Sequence, residues 1–553
     1  MPDWSAAAAA AAEAHQRAGR HAEATIGFRE AARLAPSRAE GHFRLAHVLL
    51  SAGDAMGALP ALQRTLALTP SFTGAWNNLG LALSARSRLP AAAIALKRAI
   101  ATHPPGGEGW NNLGNLLMQA ADPEGAVACY RRAVERDPLD PIAHANLING
   151  IRLVDGVGPE DELAECRRFA ERHAAVPAVP LPERSRDPDR RLMIGYVGGD
   201  SFRFHTAAMS ILPLVESHDP GAVEVVCFSD VPPRAEDEIT ARFRAAARFV
   251  STLGLTDAAA AEAIAAEGVD IAVDVIGYPR GSRLLALARR PAPVQANLLL
   301  MGSFGMEAVG WAIGDDLLTP PGSERHFTER LARIDLAFAY APLGPVAEIS
   351  ALPAAGGRGV TFGSLNQPSK LSPRCLATWA RILTRLPSSR LLLKGRAFGD
   401  ATIAGRVRAA FAGHGVEARR LDLRAWTMTQ ASHLDSYRKI DIALDPFPYG
   451  GVITTCEAMS MGVPVVSLEG ERVLGRYGSA FLKTVDLADL AAKDEGAYVE
   501  AAIGLAKDIG RLSGLRRGLR ARMAASRLCD AAAFARGVES AYRRMWRDWC
   551  RAS

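Results

Sequence analysis

Three short stretches in the second half of the chain carry residue types suited to holding a phosphorylated ligand. The first, residues 445–457, reads DPFPYGGVITTCE. A short apolar run ends at Asp445, a Pro/Gly-rich turn follows, and a helix is expected to start near Thr454. Backbone N–H groups at a helix start, with the hydroxyls of Thr454 and Thr455, form a natural seat for a phosphate. Glycines such as Gly451 let a ligand approach the backbone because they lack a Cβ. Thr454 and Glu457 also have the T-x-x-E spacing of a capping box, while Glu457 could instead reach a ribose diol. The second stretch, NQPSK at 366–370, directly follows the apolar run GVTFGSL. Gln367 and Lys370 would project from a strand-end loop, where a lysine can neutralise a diphosphate leaving group without a metal. The third, QASHLDSY, holds His433, whose imidazole could stack on a base.

The chain ahead of these stretches offers His205, in DSFRFHTAAMS after an apolar run, and the stretch GYPRGSR at 277–283. There Gly277 and Gly281 permit a tight loop around Tyr278, and Arg283 supplies a cation near a cleft. A proton leaving a reacting hydroxyl could go to His205, Asp270, Asp274 or solvent. Asp187-Pro-Asp189 has the D-x-D spelling of a metal-dependent sugar transferase, but it precedes the first strand rather than following one. The seven cysteines (129, 166, 227, 375, 456, 529 and 550) contain no C-x-x-C pair and no metal-ligand spacing. No metal or cofactor is expected, and the cysteines read as reduced thiols of a cytoplasmic protein.

The elements that must position these residues follow from periodicity. LMIGYVGGD (192–200), VEVVCFSD (223–230), VDIAVDVIG (269–277) and VQANLLL (294–300) are short apolar runs, separated in places by helical stretches such as 257–267. A second series, GVTFGSL (359–365), SRLLLKG (389–395), IDIALDPFP (440–448) and GVPVVSLEG (462–470), repeats the pattern. Such alternation predicts βα units on parallel sheets. The expected fold is α/β, two doubly wound Rossmann-like lobes spanning 191–350 and 351–553, with a hinge from Ala351 to Arg358. Ligands of such sheets sit at the carboxyl ends of the strands. The last helix, about 530–548, should pack its aromatics Tyr542, Trp546 and Trp549 across a lobe.

Ahead of the lobes, residues 1–150 keep a 34-residue beat. Proline falls at Pro36, Pro70, Pro104 and Pro138, a large residue at Phe28, Leu62, Leu96 and Tyr130, and a small one at Gly19, Gly53, Ser87 and Ala121. That period is the signature of the tetratricopeptide repeat, an all-α superhelix of helix pairs with a concave groove. Asn78, Asn112 and Asn146 keep the beat too, in WNNLG, WNNLG and HANLI. Stacked amides could hold an extended peptide backbone whatever its sequence, since each donates and accepts. About four units precede a linker at 151–190, so the groove is short and suits a few dedicated protein acceptors.

Bulk properties narrow the class. A chain of 553 residues is too long for one core. The net charge of +6 is small for this length, which argues for neither nucleic acid nor a membrane surface as partner. No apolar run is long enough to span a bilayer, and the alanine-rich start lacks the basic region and cleavage site of a signal peptide.

With its repeats followed by GYV…H, D-x-x-G-Y-x-x-x-x-R, RPAPVQ, NQPSK, H-x-x-x-Y-R-x-I-D-I-A-L-D-P-F-P-Y and T-T-C-E-A-M-x-M-G-V-P-V-V, the chain resembles the protein O-GlcNAc transferases. Its bacterial and SPINDLY-like members look most similar, and the resemblance covers essentially the whole chain. It implies a GT-B fold and an inverting, metal-independent transfer from a nucleotide sugar, most simply UDP-GlcNAc, to Ser/Thr hydroxyls of a protein acceptor. It further implies that His205 lies near sugar and acceptor, that Gln367 and Lys370 hold the diphosphate, and that His433 stacks on uracil. Thr454 would belong to the phosphate-binding helix start and Glu457 would lie near the ribose.

This sequence departs from the family pattern at three places. Gly450, Val452 and Ile453 stand where an asparagine and a run of threonines are usual. The tract ANLLLMGSFGM (296–306), which includes Gly302, replaces one resembling W-L-G-Y-P-G-T-T-G around the sugar. GGDSFRFH leads to His205 in place of S-P-D-F-R-x-H. All three touch donor phosphate or sugar, so a different donor is an alternative: GDP-fucose, or a bacterial sugar for a dedicated acceptor such as flagellin. A weakly active repeat scaffold is a second alternative.

Overall fold

The computed structural model describes residues 4–552 except Ala18, Pro104, Pro105, Arg280, Arg358 and Met428. Pro104 of the proline series and Arg358 of the expected hinge thus lie outside the described residues. Two compact units make up the chain: Met1–Gly150 with Gly399–Ile403, and Ile151–Phe398 with Ala404–Ser553.

The first unit contains four helix pairs, α1 (Trp4–Arg17) with α2 (His21–Leu34), α3 (Ala39–Ser51) with α4 (Ala55–Leu68), α5 (Thr73–Ala85) with α6 (Leu89–Thr102), and α7 (Glu108–Gln119) with α8 (Pro123–Arg136), and then the helix Pro141–Ile151 that carries Asn146. Pairing follows from size complementarity. Phe28, Leu62, Leu96 and Tyr130 are at most 2% exposed, and small residues of the preceding helix receive them. A Cβ on Gly80 would come within 2.5 Å of Leu96 Cγ, and one on Gly114 within 2.5 Å of Tyr130 Cε1. The small residue of the beat has a separate cause. Gly19, Gly53, Ser87 and Ala121 all adopt left-handed backbone, with φ of 72°, 83°, 57° and 54°, where glycine is the least strained residue.

The asparagines form a ladder, but a staggered one. Asn112 Nδ2 donates to Asn77 Oδ1 at 2.9 Å, and Asn146 Nδ2 donates to Asn111 Oδ1 at 2.9 Å. Each rung joins the second asparagine of one repeat to the first of the repeat before it, 35 residues back. Asn78 would need such a partner at position 43, which is Phe43, and its buried Nδ2 has no partner among the described residues. Asn112 and Asn146 therefore each use a donor inside the array. The sequence reading overlooked Asn77 and Asn111; the doubled Asn of WNNLG was their signal.

The second unit opens with the helix Pro159–His173 inside the expected linker, then holds two parallel sheets. The first comprises β1 (Leu192–Gly199), β2 (Val223–Ser229), β3 (Arg248–Ser251), β4 (Ile271–Asp274), β5 (Val294–Asn297), β6 (Trp311–Gly314) and β7 (Arg330–Arg333), in the order β3-β2-β1-β4-β5-β6-β7. The second comprises β8 (Thr361–Ser364), β9 (Arg390–Lys394), β10 (Leu421–Arg424), β11 (Ile442–Leu444), β12 (Val465–Leu468) and β13 (Ala491–Ala492), in the order β10-β9-β8-β11-β12-β13. Both are doubly wound, with strand order reversing between β1 and β4 and between β8 and β11. A crevice opens at such a switch point beyond the carboxyl ends of the strands.

Two features tie the lobes together. The last helix, Ala531–Arg551, crosses back to the first lobe, where Tyr542 OH donates to Tyr196 OH at 3.1 Å and Trp546 Nε1 donates to the Asp187 carbonyl at 3.0 Å. This is the helix expected to pack its aromatics across a lobe, and the lobe that receives Phe534, Tyr542 and Trp546 is the first. The expected hinge is anchored to the second lobe instead of standing free: Ala354 N–H donates to Asp441 Oδ1 at 2.9 Å, and Arg516 donates to the Ser350 carbonyl at 3.1 Å. Asp187 and Asp189 lie under that last helix, with Asp189 paired to Arg547 at 2.5 Å.

Candidate active site

Beyond the strand ends of both sheets lies a cavity of about 350 Å³. His205, Thr206 and Ser210 line it from the first lobe, with Leu299 and Met301 beside them; Gln367, Tyr449, Val452 and Ile453 line it from the second. Leu299 has φ of 53°, a strained backbone for a leucine of the kind that collects at functional sites. The hydroxyl of Ser210, 1% exposed, has no partner among the described residues.

The phosphate-seat stretch folds as a strand, a tight turn and a helix, Ile453–Ser460. Its N-cap is Val452, which offers no side-chain acceptor, so the first-turn N–H groups lack a capping partner. The expected capping box is absent. Thr454 Oγ1 donates to Asn366 Oδ1 at 2.9 Å, and Glu457 Oε2 faces His433 Nε2 at 3.1 Å. Val452 and Ile453 take the N-cap and first helical positions, so Thr454 sits two positions past the cap, too far along the helix to serve as one.

Gly451 serves by its lack of a side chain. Its N–H is taken by Asp445 Oδ1 at 2.6 Å. A Cβ there would lie 2.5 Å from Thr454 Oγ1, 2.7 Å from Thr455 Oγ1 and 2.8 Å from Asp445 Oδ1. Asp445, 2% exposed, also accepts from Ser467 Oγ at 2.7 Å and so organises the whole turn. Sequence reasoning saw it only as the end of a strand.

Lys370 reaches this turn from the loop after β8. Its Nζ donates to the Gly450 carbonyl at 2.7 Å and stands 3.9 Å from the Tyr449 ring centroid. Burial pulls the ammonium pKa down, opposed by the Asp445 charge, and burial likewise pushes the Asp445 carboxyl up. Gln367, on the same loop, is exposed at the cavity rim. His433 is 7% exposed, between Glu457, Tyr437 and the Trp426 ring.

His205 lies in the cavity wall with its Nδ1 accepting the Ala207 N–H at 3.2 Å. The neutral ring then carries its hydrogen on Nε2, which makes that nitrogen a donor. Burial lowers its pKa, with Asp200 opposing. The other base candidates separate by position. Asp270 sits just before β4, at the amino end of the strand, gripped by Arg190 at 2.5 and 2.8 Å. Asp274 ends β4 but is fully buried behind the cavity wall.

Three residues expected around the sugar are placed elsewhere. Arg283 is occupied by Asp230 at 2.8 and 2.9 Å, by Asp257 at 3.2 Å and by the Thr252 and Leu255 carbonyls. Tyr278 is 2% exposed, donates to the Phe304 carbonyl at 2.7 Å and packs edge-on against Phe169. Gly302 faces the buried Arg152–Glu162 ion pair, where a Cβ would lie 2.5 Å from Glu162 Oε1. Gly277 donates to Asp274 Oδ1 at 2.6 Å. Leu299 and Met301 take the cavity positions that the loop expectation assigned to Gly302.

Comparison with known proteins agrees with this geometry. The model of glycosyl transferase family 41 matches residues 174–341 and 351–538, and tetratricopeptide repeat models match 43–107 and 107–140. A lysine-to-methionine variant of an O-GlcNAc transferase from Thermobaculum terrenum superposes with a TM-score of 0.85 at 34% identity, covering 93% of this chain and 98% of that one. Proteins described as probable UDP-N-acetylglucosamine–peptide N-acetylglucosaminyltransferase SPINDLY are 37% identical over 66% of this chain in Petunia hybrida and 36% identical over 71% in Solanum lycopersicum. The chain spans 40% and 43% of the length of those two relatives. Among the described residues no helix is long and apolar enough to cross a membrane. The chain belongs to glycosyl transferase family 41, the tetratricopeptide-repeat protein O-GlcNAc transferase family.

Proposed function

We propose that this protein transfers a sugar from a nucleotide sugar, most simply UDP-GlcNAc, to Ser/Thr hydroxyls of protein acceptors engaged by its repeats. The observation that carries the reading is the uncapped helix start at Ile453, next to the Lys370 ammonium and the cavity that Val452 and Ile453 line. An N-terminus without a cap is a ready anion seat. The acceptor oxygen attacks the anomeric carbon from the face opposite the leaving group, so the configuration inverts. The bond from that carbon to the diphosphate oxygen breaks, and the nucleoside diphosphate departs. Lys370 and the helix start take up its developing charge, which is why no metal is required. The hydroxyl proton leaves to solvent, because His205 presents a donor to the cavity and both aspartates lie off it.

Gln367 would hold the diphosphate, Thr454 and Thr455 the phosphate end of the turn, Glu457 the ribose and His433 the base. The remaining amide capacity of Asn112 and Asn146 would hold acceptor backbone, whereas the Nδ2 of Asn78 is buried. Apolar Leu299 and Met301 at the cavity leave GDP-fucose or another deoxygenated sugar as the alternative donor. Calorimetric titration of UDP- and GDP-sugars, with and without EDTA, tests the reading. One class should bind whether or not EDTA is present, and Gly451→Ala should weaken it more than about tenfold, because its Cβ closes the turn on both threonines. Binding by neither class, or binding abolished by EDTA, would refute it.

A further inference from the structure

A buried lysine stands beside His433. Lys394 ends β9 and is 2% exposed. Its Nζ donates to Thr427 Oγ1 at 2.7 Å and to Ser436 Oγ at 3.0 Å, and lies 3.5 Å from His433 Nδ1. An ammonium has hydrogens to give and no lone pair. Nδ1 is therefore the accepting nitrogen, and Nε2 carries the hydrogen that faces Glu457 Oε2 at 3.1 Å. Tyr437 OH reaches the same carboxylate oxygen at 3.4 Å, and its ring meets the imidazole edge-on at 5.9 Å. The Trp426 ring, half exposed, lies 5.4 Å from the imidazole at a tilt of 34°, with Lys394 Nζ 5.9 Å from its centroid.

Thr427 lies in the loop after β10, whereas His433 and Ser436 lie in the helical segment before β11. Lys394 is the point where these two segments meet. A buried cation is costly unless its partners repay desolvation, and packing alone would be served as well by an apolar side chain. What the ammonium adds is direction: it fixes the plane and tautomer of one imidazole and the course of the Trp426–Thr427 loop.

We propose that Lys394 is a positioning residue for the nucleotide base, locking His433 and the Trp426 loop into an aromatic slot for a planar nucleobase. The proposal rests on the reading above that His433 faces the base.

Base–aromatic stacking is a main source of nucleotide affinity, so loosening its platform should cost roughly tenfold in affinity. The test is calorimetric titration of the full chain with UDP and with GDP for wild type, Lys394→Met, Thr427→Val, His433→Ala and the Lys394→Met/His433→Ala pair. Turnover at saturating donor is measured alongside. Lys394→Met should weaken the preferred nucleotide about tenfold, change kcat less than about threefold, and lose most of its effect in the His433→Ala background, as coupled neighbours do. Thr427→Val, a near-isosteric change at a partly buried loop position, should weaken binding about two- to threefold by releasing the loop. Wild-type affinity in Lys394→Met, or an equal loss with His433 already removed, overturns the proposal. So does a loss confined to kcat. Should Lys394→Met fail to fold, undiminished affinity in Thr427→Val overturns it. If wild type binds neither UDP nor GDP, the nucleotide reading itself falls and takes this inference with it.

Discussion

Asp274→Asn should shift stability toward the variant by an amount that grows with pH up to about 7. Asp274 is fully buried at the end of β4. Its Oδ1 accepts N–H groups from Ile276 at 3.1 Å and Gly277 at 2.6 Å, while Oδ2 has no partner among the described residues. Desolvation pushes the carboxyl up from 3.8 to about 7, against the pull of those two N–H groups. Between these values the folded chain keeps a proton that the unfolded chain has released. Stability therefore falls as pH rises across that window, and the deficit is complete above about 7. At ~1.4 kcal/mol per pH unit the whole window is worth roughly 4 kcal/mol, and the part between pH 5 and 7 roughly 3 kcal/mol. Asparagine keeps an oxygen for both N–H groups and does not titrate. Its NH₂ group lacks a partner, a cost of about 1–3 kcal/mol that does not vary with pH. Urea denaturation of both chains at pH 5, 6, 7 and 8 should thus show the difference moving toward the variant by roughly 2–3 kcal/mol, then levelling. A difference that stays flat, or moves toward wild type, would refute the assignment of a buried, half-neutralised carboxyl.

Two further outcomes follow from the backbone at Ala121 and the ion pairs of Arg283. Ala121→Gly should stabilise the repeat unit by about 1 kcal/mol, because alanine is strained at φ of 54° where Gly19 and Gly53 occupy the equivalent turns; an unchanged or lower thermal midpoint would contradict this. Arg283→Met should destabilise the first lobe by roughly 2 kcal/mol by stranding the largely buried Asp230, yet leave nucleotide affinity within about twofold. A larger loss of nucleotide affinity in a folded Arg283→Met chain would return Arg283 to the donor site.

The repeats and the central strands were legible because each rests on a local rule. The 34-residue beat reports size complementarity between paired helices, and four apolar runs in each lobe became β1, β2, β4, β5 and β8, β9, β11, β12. The outer strands β3, β6, β7, β10 and β13 were not seen. Sequences such as Arg248–Ser251, Arg330–Arg333 and Leu421–Arg424 carry little apolar signal. Where a side chain points depended on contacts distant in sequence. Motif spacing put Gln367, Lys370 and His205 near the cavity, since loops at strand ends face the crevice in this topology. It could not show that Arg283 is held by Asp230, 53 residues earlier, or that Tyr278 turns into the core against Phe169. The ladder needed a stagger of 35 rather than 34, and Lys394 was invisible because a lysine at the end of an apolar run looks like a strand terminus.

The central claim is sugar transfer driven by Lys370 at the helix start. Its most direct test is intact-mass analysis of host proteins incubated with the full chain and UDP- or GDP-sugars, for wild type and Lys370→Met. The account predicts the addition of single sugar residues to Ser- or Thr-bearing acceptors by wild type, slowed about 10²–10³-fold in Lys370→Met. No added mass with any nucleotide sugar, or equal transfer by both chains, would contradict it.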